Sequence, residues 1–241
     1  FRNKTGLGNL INAIKVDGVV PHIVSVTTTE ANGSYGGGAV LDFTVTFNEP
    51  VTLSGGTLDL TMNTTNNNPV IVQIPASSIN NSLTAAGTYT VTTGDTSGGA
   101  YLTIMSAALS GGQHLYDQVT DHQNETDLDV SSLSGGNLAD IALITVDAVL
   151  PVIQSIASGS TNGLKGIGAV IDVTIVFSKP VTLAGGTLAL VLNSGTTLNL
   201  SGISATNTKS VNYTVAEGET TGGATGTADL TVTGASLSAG T

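Results

Sequence analysis

The residues of this chain with the clearest chemical potential are its carboxylates. Seventeen Asp and Glu stand against six Lys and Arg, which gives a formal net charge of -11. This charge would repel a polyphosphate, because nucleic-acid binding depends on Lys and Arg that displace counterions. Carboxylate oxygens are instead the ligands that hard divalent cations such as calcium prefer. The same acidity could also serve only to keep a surface with few other charges soluble.

Acidic side chains are densest between residues 113 and 134, a stretch with few apolar residues. Its ionisable residues are Asp117, Asp121, Glu125, Asp127, Asp129, His114 and His122. The stretch either joins two strands as a solvated loop or wraps a calcium ion. It does not have the order of an EF-hand, because no glycine occupies the required middle turn. The two histidines are better explained as surface residues than as zinc ligands.

No arrangement of residues indicates catalysis. The three histidines, His22, His114 and His122, lack a nucleophile motif such as Gly-x-Ser-x-Gly near them. Carbohydrate clefts usually need aromatic platforms, and the chain has no Trp. The Gly-Gly pairs are typical of turns rather than of a phosphate loop. We therefore expect that the protein is not an enzyme.

Two junctions organise the elements that must position these carboxylates. Residues 14–23 and 144–153 each run from a β-branched segment through an Asp and a short apolar hinge to a Pro. Proline removes a backbone donor and favours extended geometry in the residue before it, so it suits the boundary between two strands. Residues 38–58 are then repeated at 168–188. A repeat of this length predicts tandem domains.

The repeat places the first domain at residues 17–146 and the second at 147–241, after an N-terminal strand segment at 1–16. The first repeat ends with Gly136-Asn137-Leu138 and a predicted strand at 141–146, which the second repeat lacks as far as Thr241. The N-terminal segment carries a similar ending, Gly8-Asn9-Leu10, followed by its own Ile-x-Val-Asp. The interval between these two motifs is two residues shorter than in the first repeat. We expect this segment to insert as the missing strand of a neighbour's second domain, through Leu7, Leu10, Ile11, Ile14 and Val16.

The composition predicts an all-β fold. The chain is rich in Gly, Thr, Val and Ser, which favours pleated strands joined by tight turns. Short alternating segments, clearest at 44–47 and in the tail at 228–232, are separated by turn residues. We predict two tandem antiparallel β-sandwiches of immunoglobulin-like type, the second without its last strand; a closed barrel is the alternative. Cysteine is absent, so disulfides and thiolate metal sites are excluded.

The order of motifs resembles a known family. Val-Asp, Pro, Phe-Asn-Glu-Pro-Val-Thr, Gly-Gly-Thr-Leu, Tyr-Thr-Val and Gly-Asp-Thr follow one another as in the tandem bacterial immunoglobulin-like and cadherin-like repeats of large surface proteins and adhesins. The resemblance implies an extracellular, structural protein that binds calcium near its domain junctions. It implies the ligand candidates Asp17, Glu49, Asp95, Asp117, Asp147 and Glu219. The second repeat departs from the first, because Lys179 stands in place of Glu49 and Glu219 in place of Asp95.

A physical argument also favours calcium at a junction. Carboxylates gathered at a hinge repel one another until a divalent ion neutralises them, and oxygen ligands from both sides then fix the hinge. The alternative is that these acidic residues sit in turns, where Asp caps backbone groups.

Three functions agree with these features. The first is an extracellular subunit that polymerises head to tail with copies of itself into a surface filament, by strand addition. The second is a stalk segment of a long adhesin, and the third is a surface-layer protein. Surface glycans or other filaments are further candidate partners, and a secreted enzyme is the least favoured reading.

Overall fold

The protein is all-β. A computed structural model describes residues 15–66, 68–118, 122–131, 133–222 and 228–238. Strands account for 50% of the chain and helices for 5%, as the composition predicts. The chain forms two compact units, Phe1–Leu150 and Pro151–Thr241, which we call unit 1 and unit 2.

The strands of unit 1 range from two to 14 residues and are mostly antiparallel. They are β1 (Ile23–Thr27), β2 (Gly33–Tyr35), β3 (Val40–Leu53), β4 (Thr57–Asn66), β5 (Asn68–Pro75), β6 (Ser82–Thr90), β7 (Ile104–Leu109), β8 (Leu115–Tyr116) and β9 (Ile144–Val146). A four-residue helix, α1 (Leu138–Ile141), precedes β9. One sheet has the order β1-β3-β6, with β8 also paired to β3, and a second has the order β5-β4-β7.

Alternation along β3 and β4 explains how the two sheets share one core. Phe43, Val45 and Phe47 are buried on β3, as are Leu58 and Leu60 on β4, and the residues between them are more exposed. Side chains from both sheets belong to one buried cluster. This arrangement is compatible with a β-sandwich.

A tight turn joins β3 to β4. Gly56 has φ of 64°, a left-handed conformation that side chains with a Cβ rarely adopt. A Cβ there would also lie 2.6 Å from the Ser110 Oγ, and that oxygen accepts a hydrogen bond from the Thr57 N–H at 2.8 Å. The Gly-Gly pair therefore serves the turn.

The end of unit 1, residues 136–148, closes the core, and we call it the closing segment. The sequence predicts a strand at 141–146, but β9 begins only at Ile144, because α1 ends at Ile141 and its C-cap, Ala142, donates its N–H to the Leu138 carbonyl. Asn137 caps α1: its Oδ1 accepts from the Leu138 N–H at 2.7 Å, and its own N–H donates to Asp140 Oδ2 at 3.3 Å. β9 then pairs in parallel with β2.

Unit 2 repeats most of this framework. Its strands are β10 (Ile153–Ala157), β11 (Val170–Val181), β12 (Thr187–Leu192), β13 (Thr197–Leu200), β14 (Thr206–Thr214) and β15 (Val232–Ser238), in sheets ordered β10-β11-β14 and β13-β12-β15. Of the alternating stretch at 228–232 only Val232 lies in a strand, because β15 begins there and pairs with β12 as far as Ser238. Its buried side chains form a second cluster.

Irregularities in the ladders also recur at matching positions. The pairing of β1 with β3 shifts between Ile23 and Ser25, and that of β10 with β11 shifts between Ile153 and Ser155. The repeated sequence therefore produces repeated backbone geometry. Among the described residues no helix has the length and apolar character needed to cross a membrane.

Candidate metal centre

Three of the predicted ligands meet at the beginning of unit 1. Asp17, Glu49 and Asp117 each offer a carboxylate oxygen, and these oxygens all lie within 4.8 Å of one another. They come from three places in the sequence: the segment before β1, the middle of β3, and the residue after β8. We call these residues the acidic triad.

The ladder around Glu49 places two members of the triad side by side. Pairing of β3 with β6 breaks between Thr46 and Val51, so Glu49 lies in a bulge, where the following Pro50 needs no ladder partner. Just beyond the bulge, Thr52 pairs with Tyr116 on β8. Because this pairing is antiparallel, Asp117 comes next to the bulge.

Asn48 fastens the segment that carries Asp17. Its Oδ1 accepts from the His22 N–H at 2.6 Å, and its Nδ2 donates to the Val20 carbonyl at 3.3 Å. Asp17 Oδ1 in turn accepts from the Val19 N–H at 3.1 Å. The Asn-Glu-Pro motif therefore has two roles, since Asn48 holds the hinge and Glu49 joins the triad.

Asp117 is the buried member, with 2% of its surface exposed. Its Oδ1 accepts from the Asn124 N–H at 3.2 Å, and its Oδ2 accepts from the Asn124 Nδ2 at 2.6 Å. These bonds link Asp117 to Asn124 and hold the Asp117 carboxylate in one orientation.

The triad lines a pocket of about 220 Å³ together with Pro50, Asn81 and Gln118. Gln118 donates from Nε2 to the Thr52 Oγ1 at 2.6 Å, and the Asn81 N–H donates to the same oxygen at 2.9 Å. Both side chains also carry an amide oxygen, which is a calcium ligand in proteins. Asn81, Gln118 and Asn124 were not predicted, because they are isolated amide residues outside any motif. Asn48 was visible only as part of the Phe-Asn-Glu-Pro motif, without a role of its own.

Like charges crowd around Glu49. Burial, followed by the negative charges of Asp17 and Asp117, raises the pKa of Glu49; a hydrogen bond from Asn48 and the charge of His22 act in the opposite direction. The ionised triad is thus under mutual repulsion, which a bound cation would relieve. The donors are all oxygen atoms, which suits calcium or magnesium rather than zinc.

The other predicted ligands lie outside the triad. Asp147 repeats the turn of Asp17, since its Oδ1 accepts from the Val149 N–H at 3.3 Å. Asp95 is buried, and its Oδ2 accepts from the Tyr89 hydroxyl at 2.5 Å and from the Thr92 N–H at 2.7 Å. Burial would raise the pKa of Asp95, but these hydrogen bonds outweigh burial and lower it.

Glu219 makes the matching contacts in unit 2. Its Oε2 accepts from the Tyr213 hydroxyl at 2.9 Å and from the Ala216 N–H at 2.6 Å. In unit 1, burial and then interaction with Asp95 raise the pKa of Tyr89. The Tyr89 hydroxyl therefore stays protonated and acts as a donor. In both units the acidic side chain therefore closes a turn onto a tyrosine.

The candidate polymerisation strand falls mostly on residues 1–14. Leu7, Leu10, Ile11 and Ile14 lie outside the described residues, whereas Val16 is described and is 91% exposed. Comparison of the chain with protein-family models, curated proteins and solved structures finds no match.

Proposed function

We propose that this protein is an extracellular structural subunit, built from immunoglobulin-like β-sandwiches, that polymerises head to tail into a surface filament. The connection is strand complementation, in which the N-terminal segment of one molecule completes unit 2 of the next. Calcium at the acidic triad stabilises the base of that segment. The observation that carries the proposal is a difference between the two units at equivalent edges.

Unit 1 is completed by its own closing segment. Leu138, Ile144 and Val146 from this segment are at most 1% exposed and belong to the core cluster. Val26 of β1 and Leu102 are fully buried in the same cluster. Their N–H groups donate to the Gly136 carbonyl at 2.9 Å and to the Ile144 carbonyl at 2.8 Å. Removing the closing segment would uncover both of these side chains.

Unit 2 has a groove at the equivalent edge. A cavity of about 380 Å³ is lined by Ile156, Val173, Leu192, Leu230 and Val232, among other residues. Ile156 and Leu230, the counterparts of Val26 and Leu102, are only half-buried. An apolar groove along a sheet edge is the surface that an added strand occupies.

The Gly-rich loop before β11 exposes two large apolar side chains. Leu164 is 85% exposed and Ile167 is 74% exposed. The matching loop of unit 1 contains β2, which pairs with β9. Among the described residues no strand pairs with 163–165, the counterpart of β2. An inserted strand would therefore cover both the apolar groove and this edge, and that burial is the driving force of assembly.

Calcium would act next to the inserted segment. Asp17 directly follows Val16, the last apolar residue of the candidate strand. When bound, the ion would join Asp17 to Glu49 and Asp117 and neutralise their charge. The direction in which the strand leaves unit 1 would then be fixed.

The proposal is tested by the size distribution of the whole chain and of a variant that lacks residues 1–16. Light scattering and electron microscopy are performed with calcium and with chelator, and circular dichroism controls for folding. We expect filaments only from the whole chain, and more of them with calcium. If both proteins remain folded monomers, polymerisation through this segment is wrong, and a stalk segment of a longer adhesin becomes the better reading.

A further inference from the structure

The segments that lead into the edge strands β7 and β15 are held in the same way in the two units. In unit 1 the Asn63 Nδ2 donates to the Tyr101 carbonyl at 2.8 Å, and its Oδ1 accepts from the Thr103 N–H at 3.1 Å. In unit 2 Asn193 makes the same two bonds, at 2.9 Å each, to Asp229 and Thr231. The backbone beside the unit 2 groove can therefore be matched residue by residue to unit 1.

Three consecutive residues begin the closing segment of unit 1, and each has a distinct contact. A Cβ on Gly136 would lie 2.5 Å from the Val24 carbonyl oxygen, so only glycine fits against β1. Asn137 bonds both backbone groups of Ile104: its Oδ1 accepts from the N–H at 3.0 Å, and its Nδ2 donates to the carbonyl at 2.9 Å. Leu138 is fully buried.

The same three residue types occur at Gly8-Asn9-Leu10, followed by Ile14 and Val16 in place of Ile144 and Val146. Two residues fewer separate Asn9 from Ile14 than separate Asn137 from Ile144. In unit 1 part of that interval is helix α1. With a rise of about 1.5 Å per helical residue and 3.3 Å per extended residue, both intervals span about 16 Å if residues 9–14 are extended.

We propose that residues 8–16 of a second copy occupy the groove between β10 and β15 in a fixed register. Asn9 bonds the backbone of Val232, as Asn137 bonds Ile104, and Leu10 fills the position of Leu138. Ile14, Lys15 and Val16 then run parallel to residues 163–165, as β9 runs parallel to β2. This register rests on the proposed function and specifies how two copies would meet.

Engineered cysteines test the register, because the chain has none of its own. Ser34 pairs with Thr145 in unit 1, and the proposed counterparts are Leu164 and Lys15 of two different copies. The variant that carries K15C and L164C should form a covalent ladder of multimers under mild oxidation, since paired strand positions allow disulfide geometry. The variant with S34C and T145C is the matched control, which should form a disulfide within one chain.

A second cysteine pair, displaced by two residues, distinguishes an error in the register from an error in the proposed function. The variant with K15C and G166C should yield at least about tenfold less covalent multimer, because its Cα atoms would be too far apart. Filaments without preferential crosslinking of K15C to L164C would overturn the register and leave polymerisation standing. Monomers in every variant, without any crosslink between chains, would overturn both; this result is expected if another part of the natural protein fills the groove.

Asn9 provides a second test that requires no oxidation. Asn9→Ala should raise the dissociation rate of preformed filaments by about tenfold or more, because two buried backbone groups lose their partner. Asn3→Ala, outside the proposed strand, is the control and should dissociate as the unmodified protein does. Equal rates for all three proteins would show that the Asn9 contact does not form.

Discussion

The two units share a framework and differ at one edge. Four strands of unit 1 have counterparts in unit 2: β1, β3, β4 and β7 correspond to β10, β11, β12 and β15. The shifts in strand pairing and the hydrogen bonds of Asn63 and Asn193 also occur at matching positions. In unit 1 the closing segment covers the edge between β1 and β7. In the described part of unit 2 the corresponding edge is a groove. The framework of paired strands is therefore compatible with either a closed or an open edge.

The largest expected effect is the difference in stability between a substitution in the closing segment and the same substitution in the N-terminal segment. Ile144→Ala should lower the free energy of unfolding of unit 1 by about 2–5 kcal/mol, because a fully buried side chain leaves a cavity. Ile14→Ala should leave the unfolding of the dilute monomer unchanged to within about 0.5 kcal/mol but should reduce the yield of filaments.

Urea denaturation and electron microscopy make this comparison on the same samples. If Ile14→Ala destabilised the monomer as strongly as Ile144→Ala, the N-terminal segment would already be packed within its own chain. The contrast between a closed unit 1 and an open unit 2 would then need another explanation.

A middle-sized effect concerns the tyrosine–carboxylate pairs. Tyr89→Phe should lower the free energy of unfolding by about 1.5–3 kcal/mol at neutral pH, because the buried Asp95 carboxylate loses a charge-assisted hydrogen bond. Tyr213→Phe should have a smaller effect, because Glu219 is partly exposed to water. Urea denaturation of the two variants measures the difference.

The dependence on pH sharpens this comparison. The pKa of Asp95 is lowered in the folded state, so its contribution is present above the usual carboxyl pKa, near 4, and is lost as the pH falls through the folded pKa. The stability difference between the unmodified protein and Tyr89→Phe should therefore shrink in strong acid. A difference that grows as the pH falls would mean that the hydroxyl does not act through the ionised carboxylate.

The smallest expected effect is that of Glu49→Gln on the free energy of unfolding, and its sign should differ with and without calcium. The raised pKa of Glu49 means that its ionisation destabilises the folded state as the pH rises through that pKa. In chelator, Glu49→Gln should therefore be more stable by a few tenths of a kcal/mol, since solvent screens the triad.

Calcium should reverse this order, because binding stabilises only the intact triad. Thermal unfolding with chelator, calcium or magnesium measures the change, and Glu217→Gln, an exposed acidic residue of unit 2, is the matched control. An equal calcium response in Glu49→Gln and the unmodified protein would exclude the triad as the binding site.

Local sequence patterns predicted the strands in which apolar and polar residues alternate strongly. They did not predict the strand boundaries that are set by pairing with another strand. Residues 44–47 alternate clearly, and they lie in β3. β6, in contrast, begins at Ser82, in a stretch that is poor in β-branched residues, because it pairs with β3. Gly87 is suited to this strand, since a Cβ there would lie 2.7 Å from Ile74 on the facing sheet. Such contacts between distant residues have no local signature.

The acidic residues show the same limit. Asp17, Glu49 and Asp117 were among the predicted ligands, but so were Asp95 and Glu219, which bond to tyrosines. An acidic residue that caps its own backbone and one that faces other carboxylates look the same in the sequence of a turn. Only the pairing of β8 with β3 brings Asp117 to Glu49.

The parallel pairing of β2 with β9 also constrains the order in which unit 1 is assembled. Asn32 Oδ1 accepts from the Leu143 N–H across 111 residues of sequence. A contact of this range closes late, because a long loop must be ordered first. During synthesis β9 cannot form before residue 146 has left the ribosome, so a nascent unit 1 has the same open edge as unit 2. In that interval, strands of neighbouring nascent chains would compete with its own.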